Sequence, residues 1–245
     1  MTAPVALITG AARRVGAAIA RHVHGAEEHR VVVHYRNSRQ AAEDLVDELN
    51  AARANSAMAL CADLGSVEAC AQLVEKTLES FGRLDFLVNN ASDFYPTPVG
   101  EITPEDWDRL FASNARGPLF LSQAAVPALR QEGGSIVNLV DIHADRPRAE
   151  HTVYCMAKAA LVMLTRSLAA ELGPEIRVNG VAPGAILWAE GEAAEVDRDA
   201  VLALTALGRR GEPEDIATAV AYLGLHNLYV TGQILAVDGG RSLNL

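Results

Sequence analysis

The sequence is short of several things. Its three cysteines, Cys61, Cys70 and Cys155, show neither CxxC nor paired-ligand spacing, so neither a disulfide framework nor a thiolate metal site is expected. No charged start followed by an apolar stretch marks a signal peptide or a membrane span, and a reducing cytoplasm is the expected compartment. No basic block offsets the formal charge of −10, from 21 Lys+Arg against 31 Asp+Glu, which argues against nucleic acid or an anionic membrane as a partner. Any anion site must be built locally. Repeats, low-complexity segments and interdomain linkers are also missing. Lysine is scarce: Lys76 and Lys158 are the only two among the 21 basic residues, so Lys158 is marked for chemistry that needs a lysine.

What is present is a rhythm. At 245 residues and 50% apolar content, residues 1–245 can bury one sizeable core, and a single α/β domain is expected. Continuous β-branched and apolar runs at 5–9, 31–35, 58–61, 84–89, 135–140, 177–182 and 233–237 read as strands covered on both faces. Helical patterns at 40–53, 67–81, 104–131, 152–172 and 214–223 alternate with them, with Ser66 and Thr103 as N-caps, Pro104 and Pro213 in first turns and Gly173-Pro174 as a stop. This order predicts a Rossmann-type doubly wound parallel sheet of about seven strands, with ligands at its carboxyl edge. The unpatterned stretch 184–198, around Trp188, reads either as a substrate lid or as an ordinary surface excursion.

The first strand runs into TGAARRVGAAIA, where Gly10 and Gly16 frame a strand-to-helix turn suited to a pyrophosphate, with Val15 between them. Arg14 stands where a middle glycine is usual and brings a guanidinium to the phosphates. The second strand ends in HYRNSR without an acid before Glu43, so it lacks the carboxylate that would hold a ribose 2′-hydroxyl. His34, Arg36, Asn37 and Ser38, with Arg14, instead suit a 2′-phosphate, Tyr35 joins them as a cofactor-binding residue, and NADPH is the expected cofactor. The bland alternative is that Arg36 and Arg39 are merely solvated. Asp63 and Leu64 after the third strand suit the adenine edge; Asn90 and Ala91 after the fourth let a nucleotide approach the backbone.

Tyr154 and Lys158, four residues apart, share a helix face about 6 Å apart along the axis. A neighbouring ammonium is expected to favour ionisation of the phenol and so make it a usable proton donor. Here the residues resemble the short-chain dehydrogenase/reductase family over essentially the whole chain: Thr9-Gly10…Gly16, Asn89-Asn90-Ala91, Asn114, Tyr154-x-x-x-Lys158, RVNGVAPG (with Pro183 and Gly184) and VTGQILAVDGG. The resemblance implies Tyr154 as proton donor, Lys158 also on the nicotinamide ribose, Asn114 in a water relay, and a homotetramer in which GGRSLNL reaches a neighbouring site.

Two positions depart from the wider family: Arg14, and Asp141 where most members carry a serine. Both resemble the pteridine reductase branch, as do NNASDFYPTP, in which Ser92 and Phe94 would touch a pterin, and the DIHADRP and PGAILW stretches, the latter carrying Trp188. The charge explains the substitution. A carbonyl gains negative charge as hydride arrives, and a carboxylate 4 Å away at an effective dielectric of ~20 opposes it by about 4 kcal/mol. Reduction of C=N instead needs a proton on nitrogen, which a carboxyl group can pass or stabilise. A turn-capping Asp141 and a core Phe94 are the plain alternatives. The expected substrate is a small-molecule pterin, with folate metabolism as the setting. A carbonyl or 3-oxoacyl-thioester reductase is the competing enzyme, a non-catalytic NADP(H)-binding sensor the competing class. His143, Asp145 and His151 are too irregularly spaced for a metal, and none is expected.

Overall fold

The computed structural model describes residues 3–187 and 198–244, with the side chain of Arg198 outside that description. Seven parallel strands form one sheet: β1 (Val5–Ile8), β2 (Arg30–Tyr35), β3 (Ala57–Cys61), β4 (Phe86–Asn89), β5 (Ser135–Leu139), β6 (Arg177–Pro183) and β7 (Ile234–Val237). Their order is β3-β2-β1-β4-β5-β6-β7, so the chain reverses direction across the sheet between β1 and β4, the point where such folds open a ligand crevice. All seven expected strands are present.

Alternation within the strands explains their unbroken apolarity. In β1, Ala6 and Ile8 enter a core shared with α1 (Arg14–Gly25), α2 (Arg39–Ala52) and α8 (Pro213–Ala221). Val5 and Leu7 point into a second core, made with α3 (Val67–Phe81), α5 (Gly117–Glu132) and α6 (Thr152–Leu172). Each fully buried Val, Leu or Ile contributes about 1.5–3 kcal/mol, so a polar residue facing either way is strongly disfavoured. Helix starts follow from their caps: Ser66 Oγ accepts from Ala69 N, and Thr103 with Asp106 forms a reciprocal capping box at α4 (Pro104–Phe111). A short α7 (Arg198–Ala203) completes the set. Among the described helices, α6 alone is long and apolar enough to cross a membrane, but its inward residues are taken up by the second core, by smaller apolar clusters and by the site below.

The single helix expected over 104–131 is interrupted. Residues Ala112–Arg116 form a π-helical turn between α4 and α5, and Asn114 lies fully buried within it. Its Nδ2 donates to Leu110 O at 3.0 Å and to Asp93 O at 2.9 Å, so the widened turn fastens this helix to the segment after β4. Trp188 and most of the expected lid, residues 188–197, lie outside the described residues.

Candidate active site

The first half of the carboxyl edge is built around a turn. Gly10 adopts φ +61°, which glycine takes without a Cβ clash, and Gly16 packs so closely that a Cβ would stand 2.3 Å from Gly10 O. Thr9 Oγ1 accepts from Asn90 N at 2.8 Å and Ala91 N at 3.0 Å, while Asn90 Nδ2 donates back to Thr9 O at 2.8 Å, joining the ends of β1 and β4. Arg14 also has positive φ, +55°, a strain of about 1–3 kcal/mol for a side-chain-bearing residue. Arg14, Val15 and Gly16 line one side of a cleft of about 580 Å³, with Tyr35, Arg36, Asn37 and Ser38 opposite and Asp63, Leu64, Asn90 and Ala91 along it. A glycine turn at a helix N-terminus, with donors at the end of β2 and no acidic residue on that segment itself, fits a dinucleotide with a phosphorylated ribose.

One expected phosphate ligand is corrected. His34 lines this cleft, but its Nδ1 accepts from Gly10 N at 3.1 Å and its Nε2 faces Ala62 O at 3.1 Å, so both nitrogens are committed to backbone. Burial holds the imidazole down to a pKa of about 4, neutral at ordinary pH. It braces the glycine turn and offers a phosphate no charge. Two residues that sequence reading missed join Arg36: Asp93, which accepts from Arg36 Nη2 at 3.2 Å, and Arg109 of α4, whose Nε lies 3.1 Å from the same carboxylate. No motif marks Arg109, and only the fold brings it to β2.

The second half is assembled from five elements. Asp141 follows β5, and its carboxylate divides its work: Oδ1 accepts from His143 N at 2.8 Å and caps a short turn, while Oδ2 accepts from Tyr154 OH at 2.8 Å. The capping alternative is thus true of one oxygen only. Lys158 is buried and donates to Leu139 O at 2.8 Å; desolvation lowers its pKa to about 8 against the pull of Asp141. Tyr154 departs from expectation. Burial and then the adjoining Asp141 carboxylate hold its phenol well above the usual range, with Ser92 opposing weakly. Lys158 Nζ stands 5.7 Å from the Tyr154 ring centroid, whereas Asp141 touches the hydroxyl, so the carboxylate outweighs the ammonium. Tyr154 therefore keeps its proton.

Ser92 Oγ donates to Asn114 Oδ1 at 2.7 Å, which links Asn114 to the catalytic end. Phe94 meets Tyr154 edge-on at 4.8 Å and stacks on His151 at 4.6 Å and 21°. It is 48% exposed, so its place is a lining wall and the core alternative fails. Pro183 ends β6, and Gly184 N donates to Val237 O at 3.0 Å, leaving this backbone at the same edge of the sheet.

Fold and site together define an oxidoreductase on a dinucleotide-binding sheet. The family model described as enoyl-(acyl carrier protein) reductase matches residues 10–242, and the chain belongs to the short-chain dehydrogenase/reductase family. Pteridine reductase 1 of Leishmania tarentolae is 39% identical, with 99% of this chain and 97% of the relative covered. The 3-oxoacyl-[acyl-carrier-protein] reductase of Synechocystis is 35% identical over 98% and 97%. The crystal structure of a blue fluorescent protein from a metagenomic library, in complex with NADPH, aligns with a TM-score of 0.90 at 37% identity and 98% coverage of each chain.

Proposed function

We propose that this chain is an NADPH-dependent pterin reductase, taking a dihydropterin to the tetrahydro level by hydride transfer to a pyrazine-ring carbon and protonation of the adjacent nitrogen. One observation carries the reading: a carboxylate, Asp141 Oδ2, stands 2.8 Å from the Tyr154 hydroxyl, where a carbonyl reductase needs a neutral donor. The cofactor, held by Gly10, Arg14, Val15, Gly16, Arg36, Asn37 and Ser38 and at the nicotinamide end by Lys158, Pro183 and Gly184, supplies the hydride. Everything else falls to the chain. Phe94, half exposed with His151 stacked on it, is the ring against which a flat pterin would lie, between it and the nicotinamide, with Ser92 and Arg14 among the residues the pterin would touch. The Tyr154–Asp141 pair holds the proton for nitrogen, and Ser92 and Asn114 continue the hydrogen-bonded line along which it is replaced. Loss of a phenolic proton beside a carboxylate is unfavourable unless the acceptor is basic, and a ring nitrogen reduced by hydride is basic.

Dihydrofolate carries the same ring and is a second candidate. The relative that reduces 3-oxoacyl thioesters keeps carbonyl reduction as the competing reading. NADPH oxidation against dihydropterins, dihydrofolate, ketones and 3-oxoacyl thioesters tests it: turnover of dihydropterins is expected, and turnover of carbonyl substrates alone would overturn it. The assembly proposed is a cytoplasmic homotetramer. Its support is two exposed apolar faces, Leu119, Met156 and Met163 on α5 and α6, and Leu228, Tyr229, Leu235 and Leu243 around β7. Light scattering should give a mass near four chains.

A further inference from the structure

Beyond β7 the chain doubles back. Gly239 and Gly240 both have positive φ, and Asp238 accepts from Gly240 N at 2.9 Å and Ser242 N at 2.8 Å, pinning the turn Arg241–Leu243. This turn sits against the end of β6, where a Cβ on Gly184 would stand 2.6 Å from Asp238 Cβ. The result is a fixed arginine: Arg241 is only 9% exposed.

Its guanidinium is held but not used. Nε is buried without a partner, and among the described residues neither a hydrogen bond nor an ion pair reaches the side chain. Arg177 shows what a structural buried arginine does here: it donates to Leu223 O at 2.6 Å and Asn227 O at 3.0 Å. Arg30 and Arg53 also carry a bare Nε, but their Nη groups donate to backbone carbonyls. Leaving a buried charged donor unpaired costs roughly 1–3 kcal/mol or more, in a chain with 31 acids from which a partner could have been drawn. The two acids whose fields reach Arg241 are Asp141 and Asp238, and both have their oxygens engaged elsewhere. The cation acting on it is Arg148, whose guanidinium carbon is 5.7 Å from the Phe94 ring centroid. Two guanidinium groups thus lie in each other's repulsive field, Arg148 over the Phe94 ring and Arg241 within the field of Asp141, an arrangement that an intervening anion would relieve.

We propose that Arg241 and Arg148 form an anion subsite beside Phe94, which takes a carboxylate or phosphate carried on the side chain of the pterin substrate. This rests on the pterin reading and narrows it to substrates with an acidic tail. The acidic tail would bridge Arg241 and Arg148.

The test is calorimetric binding to enzyme saturated with NADP⁺, using three 7,8-dihydropterins: one with a neutral dihydroxypropyl group, one with a phosphate ester and one with a carboxylate-terminated chain. At least one anionic ligand is expected to bind tenfold or more tightly than the neutral one, and the stronger of the two names the source. Arg241→Gln should bring that ratio close to one, Arg241→Lys should keep part of it, and Arg148→Gln, on a more accessible side chain, should cut it at least threefold. A ratio cancels any change in Asp141 that affects all ligands alike. Equal binding of neutral and anionic ligands, or an advantage that survives both glutamine variants, overturns the subsite and leaves the pterin reading standing. Failure of all three to bind overturns the pterin reading and the subsite with it.

Discussion

Along one edge of the sheet, the dinucleotide end around Gly10 and the catalytic end around Asp141 differ in what satisfies their polar groups. At the first, the chain does it. His34 gives both nitrogens to backbone, Asn90 ties β4 to the turn, and Asp93 occupies Arg36 and Arg109. At the second, groups are left incomplete: Phe94 is half exposed, Tyr154 holds a proton it gives up reluctantly, and Arg241 has a buried Nε without an acceptor. On the proposed reading, a cofactor common to many enzymes is met by a self-supported turn, whereas a particular substrate would be met by side chains the chain leaves unsatisfied. The lesson is that specificity in this molecule should be sought where the chain fails to complete its own bonding.

Four perturbations would break or sharpen that contrast. Tyr154→Phe removes the only hydroxyl bonded to Asp141 Oδ2 among the described residues and should lower kcat by roughly 10³-fold, read in single-turnover NADPH decay. Acid should damage the other end. The folded pKa of His34, about 4, lies below the ordinary 6.5, so its contribution is fully present above 6.5 and is lost as pH falls toward 4. The loss is about 2 kcal/mol between pH 7 and pH 4.5, visible in urea denaturation at those two values and absent from a His34→Asn variant. Alkali should act at the catalytic end: Lys158, with a pKa of about 8, loses its ammonium as pH rises through that value, so kcat should drop about tenfold per unit above it. The smallest effect concerns Asp93. Its pair with partly exposed Arg36 is worth roughly 0.2–1 kcal/mol and competes with a 2′-phosphate, so Asp93→Asn should tighten NADPH about threefold by fluorescence titration. Weaker binding instead would make Asp93 an organiser of Arg36.

The dinucleotide end was largely legible in sequence because its parts are local. Gly10, Arg14 and Gly16 lie within one turn, and Arg36, Asn37 and Ser38 are consecutive. His34 misled because a histidine beside an arginine reads as a cation, and only burial reveals it as neutral. At the catalytic end, Tyr154 and Lys158 were visible from helical spacing and Asp141 from its place after a strand. The direction of the phenol's shift was not, since it is set first by burial in the fold and then by contact with Asp141, thirteen residues away. The π turn at Asn114 was invisible as well, because it is fastened to Asp93 across the fold. Arg109, Arg148 and Arg241 carry no local pattern; an arginine's partners are set by the strands that meet, and this sequence uses arginine almost everywhere.

The assignment of the substrate rests on the charge at Asp141, and one substitution tests it most directly. In Asp141→Ser, kcat/KM for a dihydropterin should fall by at least 10²-fold, while that for a simple ketone rises or holds, because the group opposing an alkoxide has been replaced by one that can donate to it. Dihydropterin turnover unchanged by that substitution would contradict the assignment and leave Asp141 as the cap of the turn at His143.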